Sequence, residues 1–171
     1  RQGVGLVPEN RKTEGLLLDA PIYRNACLVH TRHLNWFSHR QAKDRAGPVL
    51  QRLQTKLDNL EQPVRQLSGG NQQKVVMAKW VIDGARLLLL DEPSRGLDVG
   101  AKADLYALAR SLAQEGAAVL VASSELDELY VNCDRIWVMH EGRNALCFDP
   151  LSASRDQIDQ AILIGKTSVE P

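Results

Sequence analysis

The chain has 171 residues, of which 44% are hydrophobic, and its 21 Lys and Arg balance its 21 Asp and Glu. This length supports one hydrophobic core and is short for two, and the balanced charge gives no reason to expect nucleic acid as a partner. No apolar run approaches the roughly 20 residues of a membrane-spanning helix, and no signal peptide opens the chain. The three widely spaced cysteines favour reduced thiols over a secreted disulfide framework; they are Cys27, Cys133 and Cys147.

The first part of the chain combines a short strand with a helical region. Residues 3–7 predict a strand, and a polar loop that includes Gly15 follows. Residues 21–62 have a helical rhythm and predict two or three helices, broken near Asn35 and at Gly47-Pro48. The apolar positions that carry this rhythm are Val49, Leu50, Leu53, Leu57 and Leu60.

From Gly70 onward, predicted helices and strands alternate along the chain. Such alternation predicts an α/β fold with a mostly parallel sheet flanked by helices. Two of the strands are apolar throughout, so we expect them to be central strands with helices over both faces; these are 86–90 and 117–122. The other elements are helices at 70–84, 99–115 and 125–131, a strand at 135–140, a turn at 141–143 with a short strand, a helix near 154–164 and a polar tail.

Ser68-Gly69-Gly70 lies where a loop enters the helix at 70–84. Free backbone N–H groups at a helix start attract phosphate, two glycines allow an anion to approach, and the serine hydroxyl can donate a hydrogen bond. Asn71, Gln72 and Gln73 add polar first-turn side chains. The alternative interpretation of the serine and glycines is an ordinary helix cap.

Asp91-Glu92 ends the apolar strand at 86–90. Two carboxylates there would lie at the carboxyl edge of a parallel sheet, where ligands of α/β folds bind. The alternative is an exposed acidic strand end without a ligand. Asp98 follows closely and precedes the helix at 99–115, which it can also cap.

Two strings of sequence resemble the ATP-binding cassette (ABC) family. LSGGNQQK at 67–74 resembles its signature motif, in the form found in the second, C-terminal cassette of ribose, galactose and arabinose importers. LLLLDEPSRGLD at 87–98 resembles its Walker B motif and D-loop. The resemblance implies a P-loop NTPase-like fold with a helical subdomain before the signature motif. The implied divisions are 1–9 for the core strand and Q-loop position, 10–66 for the helical subdomain, 67–150 for the signature helix and catalytic core, and 151–171 for a C-terminal helix and tail.

The resemblance also implies roles for individual residues. Asp91 would hold Mg²⁺ through water, and Glu92 would polarise the attacking water as general base, a contribution of about 10² to 10⁴ in rate. Asp98 would belong to the D-loop, which crosses to the partner cassette. The implied contacts with ATP are Ser68, Gly69, Gly70 and Gln72.

The chain departs from the family pattern in three ways. No GxxxxGK[ST] string of the Walker A type occurs in the 171 residues, and Gly165-Lys166-Thr167 fails it because Gln160 stands at the first glycine position. Ser124 occupies the place of the switch-loop histidine, and a hydroxyl can bond phosphate but cannot carry positive charge as imidazole does. Glu9 replaces the Q-loop glutamine and can still meet Mg²⁺. The family places Walker A upstream of the first strand, so we interpret the chain, which begins at Arg1, as a fragment.

The resemblance implies the energy-coupling, ATP-hydrolysing part of an importer for a monosaccharide or related small polar solute. Its signature motif would act in trans on ATP and Mg²⁺ held by a second cassette, and the 171 residues alone are predicted inactive. The implied partners are that cassette, transmembrane permease subunits contacted by residues 10–25, and indirectly a solute-binding protein, with no nucleic acid. The implied location is peripheral, on the cytoplasmic face of the inner membrane.

Two other functions share these motifs. A non-hydrolysing scaffold or regulatory half-cassette would need only poor nucleotide binding. Cassettes of DNA-repair, chromosome or ribosome-associated proteins usually carry a coiled coil or charged linker, and residues 10–62 show no sustained heptads.

A cluster of Cys and His in the helical region resembles metal-ligand spacing in outline only. It offers no second pair of ligands for a closed tetrahedral shell, which favours surface and core residues; its members are Cys27, His30, His33 and His39. Trp36-Phe37 and Trp80 are interpreted as packing residues, since no basic groove for base stacking accompanies them.

Overall fold

A computed structural model describes residues 3–29 and 38–165 of the chain. It divides into two compact units, Arg1–Ala122 and Ser123–Pro171. No helix among the described residues has the length and apolarity that a membrane span requires. Several residues singled out above lie outside the described part; they are His30, His33, Asn35, Trp36, Phe37, Lys166 and Thr167.

The first unit alternates strands and helices as predicted. Its elements are β1 (Val4–Val7), a one-turn π-helix (Arg11–Gly15), α1 (Ile22–Ala26), α2 (His39–Arg52), a 3₁₀ turn (Val64–Gln66), α3 (Gly69–Asp83), β2 (Leu87–Asp91), α4 (Val99–Gln114) and β3 (Ala118–Ala122). The second unit contains α5 (Leu126–Asn132), β4 (Ile136–His140), β5 (Arg143–Phe148) and α6 (Arg155–Ile164).

The three strands of the first unit form a parallel sheet in the order β1-β2-β3. The parallel sheet and the central place of β2 are confirmed. The central place predicted for β3 is wrong within the described residues, where β3 lies at the sheet edge. Only one face is well covered there: Val7, Leu88 and Leu90 are buried, whereas Leu6 and Leu120 on the other face are 49% and 57% exposed. The expected cover on both faces is therefore absent from the described part.

Helix α3 is the centre of the first unit's core. Its residues 72–79 are all buried, because α1, α2, α4, β1 and the π-helix contact this helix. The fully buried Met77 of α3 belongs to the same core as Ile22 of α1 and Leu50 of α2. Burial of one such side chain contributes roughly 1.5–3 kcal/mol. The predicted packing role of Trp80 is confirmed, since its ring joins this core and its Nε1 donates to the Leu6 carbonyl at 2.7 Å.

Helix α2 continues through Gly47-Pro48, so the predicted break there is wrong. A proline inside a helix costs about 3 kcal/mol. Ala46 and Leu50, on either side of it, are 0% and 1% exposed, and their burial offsets this cost.

The helical rhythm predicted through Leu57 and Leu60 is also wrong. Residues 55–62 form an irregular segment because side chains replace the helical hydrogen bonds. Gln62 accepts from two backbone N–H groups with Oε1, and Asn59 caps the Glu61 and Gln62 N–H groups with Oδ1.

In the second unit, β4 and β5 pair antiparallel as a hairpin. The predicted strand at 135–140 therefore exists but does not belong to the parallel sheet. The turn that joins the two strands places Glu141 and Gly142 at positive φ, 48° and 74°. A small core of Ile136, Val138 and Ile158 packs the hairpin against α6, which confirms the predicted final helix.

Candidate functional site

Helix α3 begins at an exposed serine. Ser68 is the N-cap, and its Oγ accepts hydrogen bonds from the backbone N and the Nδ2 of Asn71, at 3.5 and 2.9 Å. These bonds use the oxygen as acceptor and leave the hydroxyl proton free to donate. Within the described residues, the N–H groups of Gly69 and Gly70 find no hydrogen-bond acceptor. The helix start therefore presents three donors and no carboxylate in its first turn.

The two glycines at this helix start lie close to neighbouring side chains. A Cβ on Gly69 would lie 2.7 Å from Nη2 of Arg11 and 3.2 Å from Leu97 Cδ2. A Cβ on Gly70 would lie 2.9 Å from the Cβ of Ala101 in α4. The 2.7 and 2.9 Å distances are shorter than real Cβ contacts; the end of the flexible Arg11 side chain can move away, whereas the Ala101 Cβ is fixed in α4. The glycines thus let two neighbouring segments approach α3, a reason that differs from the predicted approach of an anion.

Gln72 does not face the solvent side of the helix start. It is 5% exposed, and its Nε2 donates to the carbonyls of Val64 and Leu67 at 3.4 and 3.1 Å. Gln73 is equally buried. This geometry corrects the expectation that both glutamines surround an anion, because Gln72 instead fixes the 3₁₀ turn that leads into Ser68.

The end of β2 carries the two predicted carboxylates. Asp91 is exposed and pairs with Ala122 at the end of β3, so it stands at the carboxyl edge of the sheet as predicted. Glu92 has a φ of 42° and donates its N–H to the Ala122 carbonyl at 2.8 Å. A non-glycine residue in the left-handed region costs roughly 1–2 kcal/mol. Such strain accumulates at functional sites, where it fixes the direction of a side chain.

Two tight turns connect β2 to α4. Arg95 donates its N–H to the Glu92 carbonyl and Leu97 donates to the Ser94 carbonyl, both at 3.1 Å. Asp98 then caps α4, with Oδ1 accepting from the Ala101 N–H at 2.9 Å. The capping alternative for Asp98 is therefore confirmed.

The segment after β1 is tied to these turns. Glu9 forms an ion pair with Arg95, and Arg11 donates from Nη1 to the Arg95 carbonyl at 3.1 Å. Burial lowers the pKa of Arg11. A surface cavity of about 320 Å³ lies between this segment and Arg95. The residues of the segment that line it are Glu9, Asn10, Arg11 and Lys12.

Ser124 lies in the second unit, exposed, just before α5. Within the first unit, Glu9 pairs with Arg95 in the loop after β2, and Leu97 of this loop lies next to Gly69 at the helix start. The backbone of Glu92 is part of the same turn.

The Cys and His cluster of the helical region has structural contacts where it is described. Cys27 is buried, its Sγ donates to the Ala42 carbonyl at 3.4 Å, and burial raises the pKa of this thiol. His39 shares a 2.5 Å hydrogen bond with the Tyr23 hydroxyl through Nδ1. Among residues 3–29 and 38–165, no three His, Cys, Asp or Glu side chains form a metal-binding group.

The donor and acceptor sets fit the groups that the motifs imply. The helix start at Ser68–Gly70 offers free N–H groups and a hydroxyl, which suit a phosphate. Asp91 offers a single exposed carboxylate, which suits Mg²⁺ because this ion keeps several of its waters.

Sequence reasoning missed Arg11 and the pairing of Arg95 with Glu9. The signal for both was weak. Charged residues directly after a strand of a parallel sheet mark a site edge, but sequence gives no means to know that Arg11 reaches across 84 positions to Arg95.

Known proteins resemble this chain in sequence and fold. A family model described as ABC transporter matches residues 1–95, more than half of the chain. The chain is 42% identical to the ribose import ATP-binding protein RbsA of Chromobacterium violaceum, over 98% of this chain and 34% of that protein. It is 44% identical to the protein of the same name from Bacillus subtilis, over 84% of this chain and 30% of that protein. The chain thus spans about a third of the length of these relatives.

Among solved structures, cbiO1 from Clostridium perfringens, part of the ABC transporter complex cbiONQ, matches with a TM-score of 0.73. The identity is 24%, and the match covers 96% of this chain and 64% of that one. A likeness at this identity concerns the fold, and it confirms the predicted α/β cassette.

Proposed function

The chain belongs to the ABC transporter family, and from this premise we propose that it supplies the signature helix and the acidic strand end of an ATP-hydrolysing cassette in a sugar importer. Relatives named as ribose import ATP-binding proteins support a monosaccharide as the transported solute. Transmembrane permease subunits and a second cassette are the partners, and a solute-binding protein acts indirectly. The location is peripheral, at the cytoplasmic face of the membrane.

One observation carries this proposal. Within the described residues, the start of α3 has N–H groups without an acceptor and no acidic residue in its first turn, and Leu97 of the loop after β2 and Ala101 of α4 lie against it. A phosphate at this helix start is favoured by the helix dipole and by the free N–H groups. The signature helix and the acidic strand end thus belong to neighbouring elements of the first unit, and each would serve a different nucleotide site.

Each residue has a defined task in the proposal. The Ser68 hydroxyl and the Gly69 and Gly70 N–H groups hold the terminal phosphate of an ATP whose other side is bound by the partner cassette. Asp91 and Glu92 line the other nucleotide site, where Asp91 would hold Mg²⁺ through water and that ion would neutralise phosphate charge. Glu92, aimed by its left-handed backbone, accepts a proton from the attacking water.

Three further residues have tasks in the proposal. Asp98 fixes the D-loop by capping α4, and Glu9 is neutralised by Arg95. The ion pair removes the repulsion that a free carboxylate at the Q-loop position would exert on phosphate. Ser124 provides a hydroxyl where the family has an imidazole, so it can bond phosphate but cannot act as an acid near neutral pH.

The test uses a joined protein, in which this chain replaces the matched third of the Chromobacterium violaceum relative. We expect Mg-ATP turnover by the joined protein and none by the 171 residues alone, since no GxxxxGK[ST] string holds phosphate in the chain. Steady-state phosphate release measures both. Turnover by the chain alone, or a joined protein without turnover beside an active parent, would contradict the proposal.

A further inference from the structure

Asn71 lies in the first turn of α3, and its half-buried side chain joins two parts of the first unit. Its Oδ1 accepts a hydrogen bond from the backbone N–H of Lys56 at 2.9 Å, and its Nδ2 donates to Ser68 Oγ at 2.9 Å. Lys56 belongs to the irregular segment that follows α2. One amide group thus connects the hydroxyl at the helix start with a backbone group 15 positions before Asn71.

The direction of each of these hydrogen bonds is fixed. A backbone N–H can only donate, so the amide oxygen of Asn71 must face Lys56 and its NH₂ group must face Ser68. Ser68 Oγ therefore accepts from Asn71, both from Nδ2 and from the backbone N–H. A hydroxyl has two lone pairs and one proton. Because two N–H groups engage the lone pairs, the remaining capacity of Ser68 is to donate, which suits a phosphate oxygen.

The Lys56 N–H that orients the amide is itself held in place. Just before it, Thr55 donates its N–H back to the Leu50 carbonyl at 2.9 Å. The buried Lys74 of α3 donates from Nζ to the Gln54 carbonyl at 3.3 Å. The backbone that leads to Lys56 is thus bonded to both α2 and α3, so the orienting donor has a fixed position.

The other serine-capped helices of the described residues, α2 and α6, use the same position differently. Gln41 in α2 and Gln157 in α6 stand where α3 has Asn71, and each accepts with Oε1 from the backbone N–H of its own cap serine, at 3.2 and 2.9 Å. Such a capping box closes the helix start on itself. Asn71 accepts from Lys56 instead and directs its NH₂ group at the hydroxyl of Ser68. Only the α3 arrangement therefore orients the serine hydroxyl.

We infer that Asn71 is a positioning residue, which turns the proton of the Ser68 hydroxyl outwards, towards the phosphate of an ATP whose other side is bound by the partner cassette. This role rests on the proposed function, because the direction of the proton matters only if Ser68 meets a phosphate. Asn71 acts through Ser68 and need not touch the nucleotide. The role concerns the signature helix alone and is independent of the acidic strand end, which serves the other site.

The first test concerns the hydrogen bonds and uses the 171-residue chain. We expect Asn71→Ala to raise hydrogen–deuterium exchange of the Lys56 amide at least about fivefold, because this amide loses its acceptor. Asn71→Asp should keep the protection, since a carboxylate oxygen can accept from Lys56 as the amide oxygen does. Gln157→Ala is the matched control and should leave the Lys56 amide unchanged. NMR resolves the exchange of single amides, and unchanged exchange in Asn71→Ala would overturn the inference.

The second test concerns function and uses the joined protein. A free hydroxyl has about three staggered positions, so we expect Asn71→Ala to lower kcat/KM for ATP by about threefold or more. Gln157→Ala should keep the kcat/KM of the unsubstituted joined protein. Steady-state phosphate release at varied Mg-ATP concentration measures both. An Asn71→Ala variant with unchanged kcat/KM would contradict the positioning role.

A double-mutant cycle with Ser68→Ala separates positioning from other roles. If Asn71 acts through the Ser68 hydroxyl, Asn71→Ala should lower kcat/KM by less than about 1.5-fold once that hydroxyl is absent. A full loss in the Ser68→Ala background would make Asn71 a nucleotide ligand or a general support of the helix start, and either result overturns the inference. If the unsubstituted joined protein has no turnover, the proposed function fails, whereas an active joined protein insensitive to Asn71→Ala leaves that function intact and removes only this inference.

Discussion

Each of the two units contains a helix with a serine N-cap and a glutamate at positive φ, but the surroundings of these residues differ. Each has a helix that begins at a serine N-cap, Ser68 in the first unit and Ser154 in the second. The cap of α6 is complete in itself: Ser154 and Gln157 bond reciprocally, and Asp156 places a negative charge in the first turn. The cap of α3 has no acidic residue in its first turn, and the Gly69 and Gly70 N–H groups have no acceptor among residues 3–29 and 38–165.

The same contrast holds for two glutamates with positive φ. Glu141 lies in a hairpin turn before Gly142, where a two-residue connection demands this backbone. Glu92 lies at a strand end before a proline, where no turn of that kind requires it. The comparison shows that a motif residue differs from an ordinary cap or turn residue in features that the local structure does not require. The local device alone does not distinguish them.

The largest expected effect separates the two glutamates. Glu92→Gln in the joined protein should lower ATP turnover by about 10² to 10⁴, because the general base is lost. Glu141→Gln is the matched control and should keep the parent rate. Phosphate release measures both, and a Glu92→Gln variant with more than a tenth of the parent rate would break the comparison.

The next effect separates the two serines. Replacement of either by Ala removes an N-cap and should cost about 1 kcal/mol of stability. Only Ser68→Ala should also lower turnover, by about tenfold or more, because a hydrogen bond to a charged group contributes about 1.5–3 kcal/mol. Urea unfolding and phosphate release test the pair. Equal turnover in Ser68→Ala and Ser154→Ala would show that the open helix start has no catalytic part.

A third difference concerns buried charge, which among the described residues lies in the first unit. Burial lowers the pKa of Lys79 from 10.5 to about 8. Between pH 8 and pH 10.5, Lys79 is more protonated in the unfolded chain than in the folded chain, so the free energy of unfolding should rise with pH. Below pH 8 the buried Lys79 is charged, and folding carries the full cost of burying that charge. The rise should be on the order of 1–3 kcal/mol.

Lys79→Met should abolish this rise, whereas Lys12→Met, at an exposed site, should retain it. Urea unfolding at pH 7.5 and pH 10 provides the measurement. A pH dependence that is the same in wild type and Lys79→Met would contradict the assignment.

The smallest effect concerns backbone strain. Glu92→Gly should raise the free energy of unfolding by about 0.5–1 kcal/mol, because glycine adopts positive φ without strain. The greater entropy of glycine in the unfolded chain cancels part of this stabilisation. Glu141→Gly should behave alike. A stabilised but inactive Glu92→Gly variant would demonstrate that strain is retained for function, whereas a destabilised one would indicate that the conformation is not strained.

The sequence predicted the α/β part well because each boundary has a local cause. Helix α3 starts at its Ser68 cap and ends at Gly84, which adopts the left-handed conformation, and helix α4 starts at its Asp98 cap. The helical region was harder. Pro48 signals a break that tertiary burial of Ala46 and Leu50 overrides, and the irregular segment near Asn59 depends on side-chain hydrogen bonds that no periodicity reveals.

The motif residues of the candidate site could be predicted from the sequence. The hydrogen bonds of the residues around them could not. Asp91 and Glu92 follow from the position of a strand end. The inward turn of Gln72 and the reach of Arg11 depend on which backbone carbonyls lie nearby in three dimensions. The assigned roles in nucleotide binding remain predictions that the experiments above test.

The central claim is that this chain completes a nucleotide site whose phosphate-gripping half lies elsewhere. Titration calorimetry with Mg-ATP tests it most directly, with the 171-residue chain beside the joined protein. The account predicts micromolar affinity in the joined protein and no saturation below about 1 mM in the chain alone, a difference of roughly 4 kcal/mol. Micromolar affinity in the chain alone would contradict it.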